Sequence, residues 1–296
     1  MTETLAERDV VLATVGDLIE AASGGHGKAL FVIGEAGLGK TTVLEHAVGL
    51  VGRRFRTGIG RADVAEAALP FGLIGQALEP LLGGQAEPEQ PPGSDAGPPL
   101  GGYLYAVLSR LRQSAARPLL LALDDAHWSD SDSMTLLRLI CRRIGTLPVA
   151  VLVTARPWPP DALRAGEELS GQGLAEVHKL TPLSLESAAA MLSERAGAAV
   201  SGEEAGRLAG LCAGNPLLLD RVASALRAGH SLPEGEVPAG ATWARRLLLS
   251  HLVGLDEPAG RFLRAASVVG RRFRPEVAAQ VAGLTTAKAA AAQECP

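Results

Sequence analysis

The feature that most restricts the fold of this 296-residue chain is a glycine-rich stretch between an apolar run and a helical pattern. The stretch reads GEAGLGKT from Gly34 to Thr41 and fits G-x-x-x-x-G-K-[ST] at every position. The apolar run at 29–34 predicts a buried strand, and the residues from about 40 to 51 predict a helix. A phosphate-binding loop requires this order of strand, loop and helix.

The residue types in this stretch explain how it would bind phosphate. Glycines let the backbone N–H groups turn toward phosphate oxygens, and the following helix adds its positive N-terminal end. Lys40 is expected to reach the β- and γ-phosphates, and the Thr41 hydroxyl to bind Mg²⁺. We therefore predict that ATP is bound by Gly34, Glu35, Ala36, Gly37, Leu38, Gly39, Lys40, Thr41 and Thr42.

A second buried strand is predicted at 118–125, where PLLLALDD ends in two carboxylates, Asp124 and Asp125. Strands of a parallel sheet present their carboxyl ends at one edge, where phosphates bind in such folds. We predict that Asp124 binds Mg²⁺ together with Thr41, and that Asp125 is catalytic, orienting water or accepting a proton. The alternative for both acids is an ordinary turn after a strand.

Arg156 ends a third predicted strand, 147–156, and is predicted to act in catalysis by stabilising charge near the γ-phosphate. The alternative is a surface arginine before Pro157. For His127 and Trp128, which follow the acid pair, we expect packing or capping.

The rest of the chain predicts an α/β half followed by a helical half. Alternating strands and helices favour a mostly parallel sheet covered on both faces, with weaker strands at 56–63 and 177–183. An N-terminal helix is expected to carry Glu7, Arg8, Asp9 and Asp17 on its outward face. Further predicted elements are helices at 71–81, 103–116, 184–196, 202–212 and 216–228, a flexible insertion at 83–102, and a helical region from 242 onward.

Composition excludes several classes of protein. A net charge of −4 gives no basic patch for nucleic acid. The longest apolar stretch is too short to span a membrane, and the N-terminus lacks an export signal. Three distant cysteines, Cys141, Cys212 and Cys295, form neither a disulfide framework nor a metal spacing, which favours the cytoplasm.

The motifs GEAGLGKTT, LLLALDDAHWSD, VLVTARP and GNPLLL occur in an order that resembles the STAND branch of AAA-type ATPases. More narrowly, residues 3–284 resemble the ATPase segment of large LuxR-type bacterial transcriptional regulators. The resemblance implies a P-loop NTPase fold, nucleotide contacts from Gly214 and Pro216 in the helical domain, and a winged-helix domain beginning near 262–273.

These observations together predict three domains. Residues 1–183 would form the AAA-like ATPase domain, residues 184–241 a helical domain, and residues 242–296 a partial winged-helix-like segment. The regulatory repeats and the helix-turn-helix of the LuxR-type family are absent, and the end TTAKAAAAQECP is alanine-rich. We therefore expect a truncated chain and do not carry DNA binding over to it.

The function predicted from these features is a signalling switch that binds ATP or ADP with Mg²⁺ and hydrolyses ATP slowly. Self-association or a protein partner is left open. The alternatives are a nucleotide-binding remnant without turnover and a small-molecule P-loop kinase, for which we find no acceptor pocket in the sequence. A nucleic-acid remodelling ATPase is disfavoured by the acidic charge balance.

Overall fold

A computed structural model of the chain describes residues 6–64, 67, 69–82, 100–113, 117–197, 200–228, 257–269 and 275–284. The chain divides into two compact units. The first comprises residues 1–187 and 213–217, and the second comprises residues 188–212 and 218–296.

The first unit is built on a five-stranded sheet with the strand order β2-β3-β4-β1-β5, in which every neighbouring pair is parallel. The strands are β1 (Lys28–Ile33), β2 (Arg56–Arg61), β3 (Leu119–Asp124), β4 (Val149–Ala155) and β5 (Ala175–Lys179). The predicted α/β P-loop fold with a mostly parallel sheet is confirmed. The fifth strand lies earlier than the predicted 177–183: after Lys179 only Leu180 donates back to the sheet, to the Ile33 carbonyl at 2.7 Å, and Pro182 has no N–H.

Helices cover both faces of the sheet, as the alternation of elements predicts. The helices of this unit are α1 (Asp9–Ser23), α2 (Lys40–Val51), α3 (Gly72–Leu82), α4 (Leu100–Gln113), α5 (Ser131–Cys141) and α6 (Asp161–Gly171). One apolar cluster joins α1 and α2 to one face, which includes Leu120 and Leu152. A second apolar cluster packs helices α3, α4, α5 and α6 against the other face, which includes Phe31 and Leu121.

The sheet is most deeply buried at its centre. Every residue of β3 and of β4 is buried, whereas β2 at the edge is exposed at Ile59 and Arg61. Helix α3 packs directly on β2 because Gly58 and Gly60 carry no side chain. A Cβ atom on Gly58 would lie 1.8 Å from the Ala77 carbonyl oxygen.

The starts of α3 and α5 are tied together by two polar side chains. Asp130 caps α5, since its Oδ1 accepts from the Ser133 N–H at 2.8 Å, and it also accepts from the Phe71 N–H at 2.9 Å. The Ser133 hydroxyl accepts from the Ile74 N–H at 3.2 Å. These bonds fix the segment that follows the acid pair.

The predicted insertion at 83–102 is only partly covered by the structure. Residues 83–99 lie outside the described residues, but residues 100–102 belong to α4, so the predicted end of the loop is wrong. Two glycines at 101 and 102 hide this helix start in the sequence because glycine is a poor helix former.

The second unit contains helices. Arg195 and Asp220 form an ion pair at 2.5 Å within it, and Phe262 packs with Ala278. The remaining helices are α7 (Leu185–Ala196) and α9 (Pro216–Arg227), which both begin in the first unit, α8 (Gly202–Leu211), α10 (Glu257–Val269) and α11 (Pro275–Ala282). The helices predicted at 184–196, 202–212 and 216–228 are confirmed to within one residue at each end. The boundaries at 183 and 241 and the winged-helix-like segment 242–296 stay predictions, and residues 229–256, 270–274 and 285–296 lie outside the described residues.

Across the described ranges, no helix combines the length and apolar character that a membrane crossing needs.

Candidate functional site

The glycine-rich loop connects β1 to α2, as the sequence predicts. Gly37 and Gly39 have φ values of 78° and 88°, in the left-handed region that favours glycine. Gly39 directly precedes α2, which begins at Lys40. The loop therefore delivers Lys40 and Thr41 to the first turn of a helix, where backbone N–H groups have no partner within the helix.

Lys40 is buried although it carries an ammonium group. Its Nζ donates to the Glu35 carbonyl within the loop at 3.0 Å. Burial lowers the pKa of Lys40, while the charges of Asp125 and Asp124 work in the opposite direction. A buried lysine beside two carboxylates is a strong point charge for an anionic ligand.

The two predicted metal ligands, Thr41 and Asp124, lie together. The Thr41 hydroxyl donates to Oδ2 of Asp124 at 3.1 Å, and the Asp124 side chain is 1% exposed. On its other oxygen, Oδ1, Asp124 accepts from the Thr154 hydroxyl and from the Asp125 N–H. The buried end of β3 is thus held by hydrogen bonds to both carboxylate oxygens.

A hydroxyl beside a carboxylate suits Mg²⁺, which prefers oxygen donors and is usually held by one or two carboxylates plus substrate phosphates. Within the part of the chain that the structure describes, no cluster of three or more His, Cys, Asp or Glu residues could hold a metal alone. The donor set at Thr41 and Asp124 therefore fits an ion that is completed by phosphate oxygens.

Asp125 follows β3 in a left-handed conformation, with φ 52° and ψ 37°. Its N–H bonds the Thr154 hydroxyl oxygen at 3.1 Å, and its side chain is 37% exposed. Burial raises the pKa of Asp125, the Asp124 charge raises it further, and Lys40, Arg156 and Arg61 lower it. The backbone of this acid is fixed while its carboxylate stays accessible.

Arg156 directly follows β4 and is partly buried. Its charge lowers the pKa of Lys40 and opposes the rise in the pKa of Asp125. The structure therefore brings together Lys40, Thr41, Asp124, Asp125 and Arg156 at the carboxyl edge of the sheet.

His127 is buried, which agrees with the packing role expected for it. Burial lowers its pKa to about 3, so the ring is neutral near pH 7. Its Nδ1 lies 3.8 Å from Oδ1 of Asp125, and its ring packs against Trp128 with centroids 4.9 Å apart. Neither ring nitrogen has a hydrogen-bond partner among the described residues.

Arg8 does not lie on an outward helix face, so that prediction is wrong. Helix α1 begins only at Asp9, and helical spacing therefore does not govern Arg8. Arg8 is 5% exposed, and its Nη2 donates to the Leu38 carbonyl at 3.3 Å and to the Thr181 carbonyl at 2.9 Å. It links the glycine-rich loop to the segment after β5.

Glu7 also has a specific partner. Its carboxylate accepts from the Ser184 hydroxyl and from the Ser184 N–H at 3.0 Å, and the hydroxyl contact lowers its pKa to about 2. The sequence carries no local signal for the contact of Glu7 with Ser184 or of Arg8 with Thr181, since these partners are more than 170 residues away.

Asn215 holds the glycine-rich loop from the other side. Its Nδ2 donates to the Ala36 carbonyl at 2.8 Å, and the Leu217 N–H donates to the Gly37 carbonyl at 3.2 Å. Gly214 has a φ of 69°, and a Cβ there would lie 2.2 Å from the Leu183 carbonyl oxygen. Gly214 and Pro216 thus flank a residue that contacts the loop, and the stretch 213–217 belongs to the first unit.

Arg61 is a further residue that sequence reasoning missed. Its Nη2 lies 3.1 Å from Oδ2 of Asp124. The signal that could have found it is its position near the end of the weak strand predicted at 56–63, which the parallel sheet places beside the acid pair.

Comparison with protein families matches residues 4–153, just over half of the chain, to the AAA ATPase domain. The chain belongs to this family. The AAA ATPase part of the predicted resemblance is thereby confirmed, and the family implies binding of a nucleotide together with a metal ion. The comparison with curated proteins found no significant match.

Solved structures resemble the AAA ATPase chain in fold. Cdc6p from Pyrobaculum aerophilum shares 18% identity over 99% of this chain and 86% of its own, with a TM-score of 0.56. The Aeropyrum pernix ORC1 protein, solved in complex with DNA, shares 15% identity over 97% and 81%, also with a TM-score of 0.56. A STAND protein with a tetratricopeptide repeat sensor from Pyrococcus horikoshii shares 15% identity over 90% and 38%, with a TM-score of 0.45. We base no conclusion on that last score, and the first two likenesses support the fold.

Proposed function

We propose that this AAA ATPase domain binds ATP with Mg²⁺, hydrolyses it slowly and serves as a nucleotide-dependent switch. We further propose that it is a STAND-type domain, the nucleotide-binding part of a LuxR-type transcriptional regulator. The observation that carries the proposal is the contact between the Thr41 hydroxyl and the buried Asp124 carboxylate, directly beside Lys40. This arrangement joins the phosphate-binding loop to the candidate metal ligand.

In the proposed site, the loop N–H groups and Lys40 bind the phosphates, and Thr41 and Asp124 hold Mg²⁺. The bound ion would neutralise phosphate charge. Asp125 would orient the attacking water, and this role is supported by a backbone that bonds Thr154 and Asp124 and by a carboxylate that stays accessible. Arg156 supplies a positive charge at the same edge of the sheet.

The contacts of residues 215 and 217 support the proposed switch. They bond carbonyls of the loop that would hold the phosphates, and the chain continues from there into α9. To move a two-state equilibrium from 1:99 to 99:1, nucleotide must favour one state by about 10⁴-fold, roughly 5.5 kcal/mol. Charge-assisted phosphate contacts are of the strength that such a difference requires.

We place the chain in the cytoplasm and leave self-association or a protein partner as its proposed interaction. Cys141 and Cys212 are free and buried, which supports a reducing compartment. The net charge of −4 argues against direct binding of nucleic acid by this chain.

The test of nucleotide binding is Lys40→Ala, measured by isothermal titration with ATP in excess Mg²⁺. We expect affinity to fall by about 100-fold, since a buried charge-assisted contact is lost. Lys28→Ala is the matched control, because Lys28 is half-exposed and pairs only at 3.8 Å with Glu176 on the same sheet. Unchanged ATP affinity in Lys40→Ala would show that the site is assigned wrongly.

Turnover on the same sample separates the proposed switch from its alternatives. Slow release of phosphate supports the switch, and tight binding without release supports the remnant. Transfer of phosphate to a small acceptor rather than to water would instead support a small-molecule kinase.

A further inference from the structure

The backbone of Arg61 is fixed next to Asp124, the candidate metal ligand. It is the last residue of β2 and lies in parallel register with Asp124, the last residue of β3. Its N–H donates to Oε1 of Gln76 at 3.1 Å, and the Ala62 N–H donates to the Asp124 carbonyl at 3.0 Å. The side chain therefore starts from a fixed point beside the acid pair.

The Asp124 carboxylate has partners on both of its oxygens. An ionised carboxylate offers about four lone-pair sites. Oδ1 accepts from the Thr154 hydroxyl and the Asp125 N–H, and Oδ2 accepts from the Thr41 hydroxyl at 3.1 Å and forms an ion pair with the Arg61 guanidinium, also at 3.1 Å. Three hydrogen bonds and one ion pair therefore occupy this carboxylate, and a metal ion that binds it competes with these partners.

Arg61 is the partner of Asp124 that can leave at the lowest cost. Thr154 is fully buried, and the Asp125 donor is a backbone N–H. Thr41 can keep its place by turning its oxygen toward the ion. The Arg61 side chain is 63% exposed on a long flexible stem, so water can solvate the guanidinium when it leaves.

Replacing Arg61 by a metal ion would keep the charge of the acid pair neutralised. Asp124 is 1% exposed, and Asp125 follows it directly, so two carboxylates share a partly desolvated edge. Arg61 supplies a positive charge there, as a divalent ion would. Two cations that neutralise the same carboxylate compete for it, and the loss of one strengthens the binding of the other.

We propose that Arg61 sets the magnesium requirement of nucleotide binding, by neutralising Asp124 without the metal and releasing that carboxylate when Mg²⁺ binds with nucleotide. The proposal rests on the proposed function, since it takes Asp124 as the metal ligand. Arg61 acts through Asp124 and is a positioning residue.

The experiment is a Mg²⁺ titration of ATP binding, followed with a fluorescent ATP analogue at fixed concentration, on the full chain and on Arg61→Gln. We expect the Mg²⁺ concentration that gives half-maximal binding to fall about 5- to 20-fold in Arg61→Gln. Arg61→Lys keeps the charge and is expected to stay within about twofold of the unaltered chain. Arg54→Gln, which removes an exposed arginine before β2, controls for net charge.

The outcomes separate this proposal from the one it rests on. If the unaltered chain binds no ATP at any Mg²⁺ concentration, the proposed function fails. If it binds ATP but the half-point in Arg61→Gln is unchanged, only the role of Arg61 is wrong. If Arg61→Gln loses affinity for ATP but not ADP at saturating Mg²⁺, Arg61 is a phosphate ligand and the proposal is overturned.

Folding is checked separately so that the result can be interpreted. Arg61→Met keeps the length of the stem, and a circular dichroism spectrum identical to that of the unaltered chain shows that the sheet is intact. A Mn²⁺ titration followed by electron paramagnetic resonance then measures metal binding without any turnover. A half-point for Mn²⁺ that does not fall in Arg61→Met also overturns the proposal.

Discussion

Strands β2 and β3 run side by side in one sheet, yet their residues differ, and only β3 ends in a site residue that can be recognised in the sequence. Strand β3 reads LLLALD with every residue buried, so its terminal acid stands out against apolar neighbours. Strand β2 reads RTGIGR, and only Gly58 and Gly60 are buried. Arg61 at its end resembles the surface arginines that occur throughout the chain.

The difference teaches where a site residue can be recognised. A charged residue that ends a fully buried strand indicates a partner or a function, because burial of an unpaired charge costs free energy. A charged residue that ends an edge strand is solvated by water, so its presence there does not indicate a function. The ion pair between Arg61 and Asp124 joins one residue of each kind.

The largest effect expected from this comparison is on the core of β3. Leu121→Ala removes a side chain that is 2% exposed, and we expect it to lower the free energy of unfolding by about 2–5 kcal/mol. The corresponding change on β2 is Ile59→Thr, at a side chain that is 46% exposed. We expect it to change the free energy of unfolding by less than about 0.5 kcal/mol. Urea denaturation followed by circular dichroism measures both. Equal losses in the two variants would show that β2 is as buried as β3.

A smaller effect is expected where α3 covers β2. Gly58→Ala places a Cβ 1.8 Å from the Ala77 carbonyl oxygen, so the helix has to shift, at a cost of about 1–3 kcal/mol. The control is Gly75→Ala in α3, where an added Cβ would have no atom within 4 Å. We expect this change to raise the free energy of unfolding by about 0.5–1 kcal/mol, because alanine is a better helix former than glycine. Melting temperatures that move in opposite directions would confirm this close packing, and a tolerated Gly58→Ala would contradict it.

The smallest effect concerns the buried group after β3. The pKa of His127 is about 3 in the folded chain and near 6.5 in the unfolded one, so the unfolded state takes up the proton first. Stability is therefore lost as pH falls below about 6.5, by about 1–2 kcal/mol between pH 7 and pH 5. His127→Phe keeps an aromatic ring next to Trp128 and should remove this dependence. An unaltered pH profile in urea denaturation would place a partner on the imidazole.

Local patterns were enough to predict the centre of the fold. The buried strands β1, β3 and β4 and the bounds of α2 follow from short runs of residues. Thr41 and Asp124 are 83 residues apart, but each belongs to a recognisable motif, and the two motifs together predict that they meet. The contacts of Arg8, Thr154 and Asn215 could not be predicted, because each residue meets its partner across 30 to 179 residues of chain and no motif links the two. Their roles depend on the folded arrangement of the chain, which residue spacing does not encode.

The contact between Asn215 and the glycine-rich loop has a consequence for synthesis of the chain. The two partners are 179 residues apart, and so the loop leaves the ribosome long before the side chain that bonds its Ala36 carbonyl. At 5–20 residues per second, this delay is roughly 10 to 40 seconds. For that time the nascent loop has to fold without its later support, and a nucleotide that bound then would meet an incomplete site.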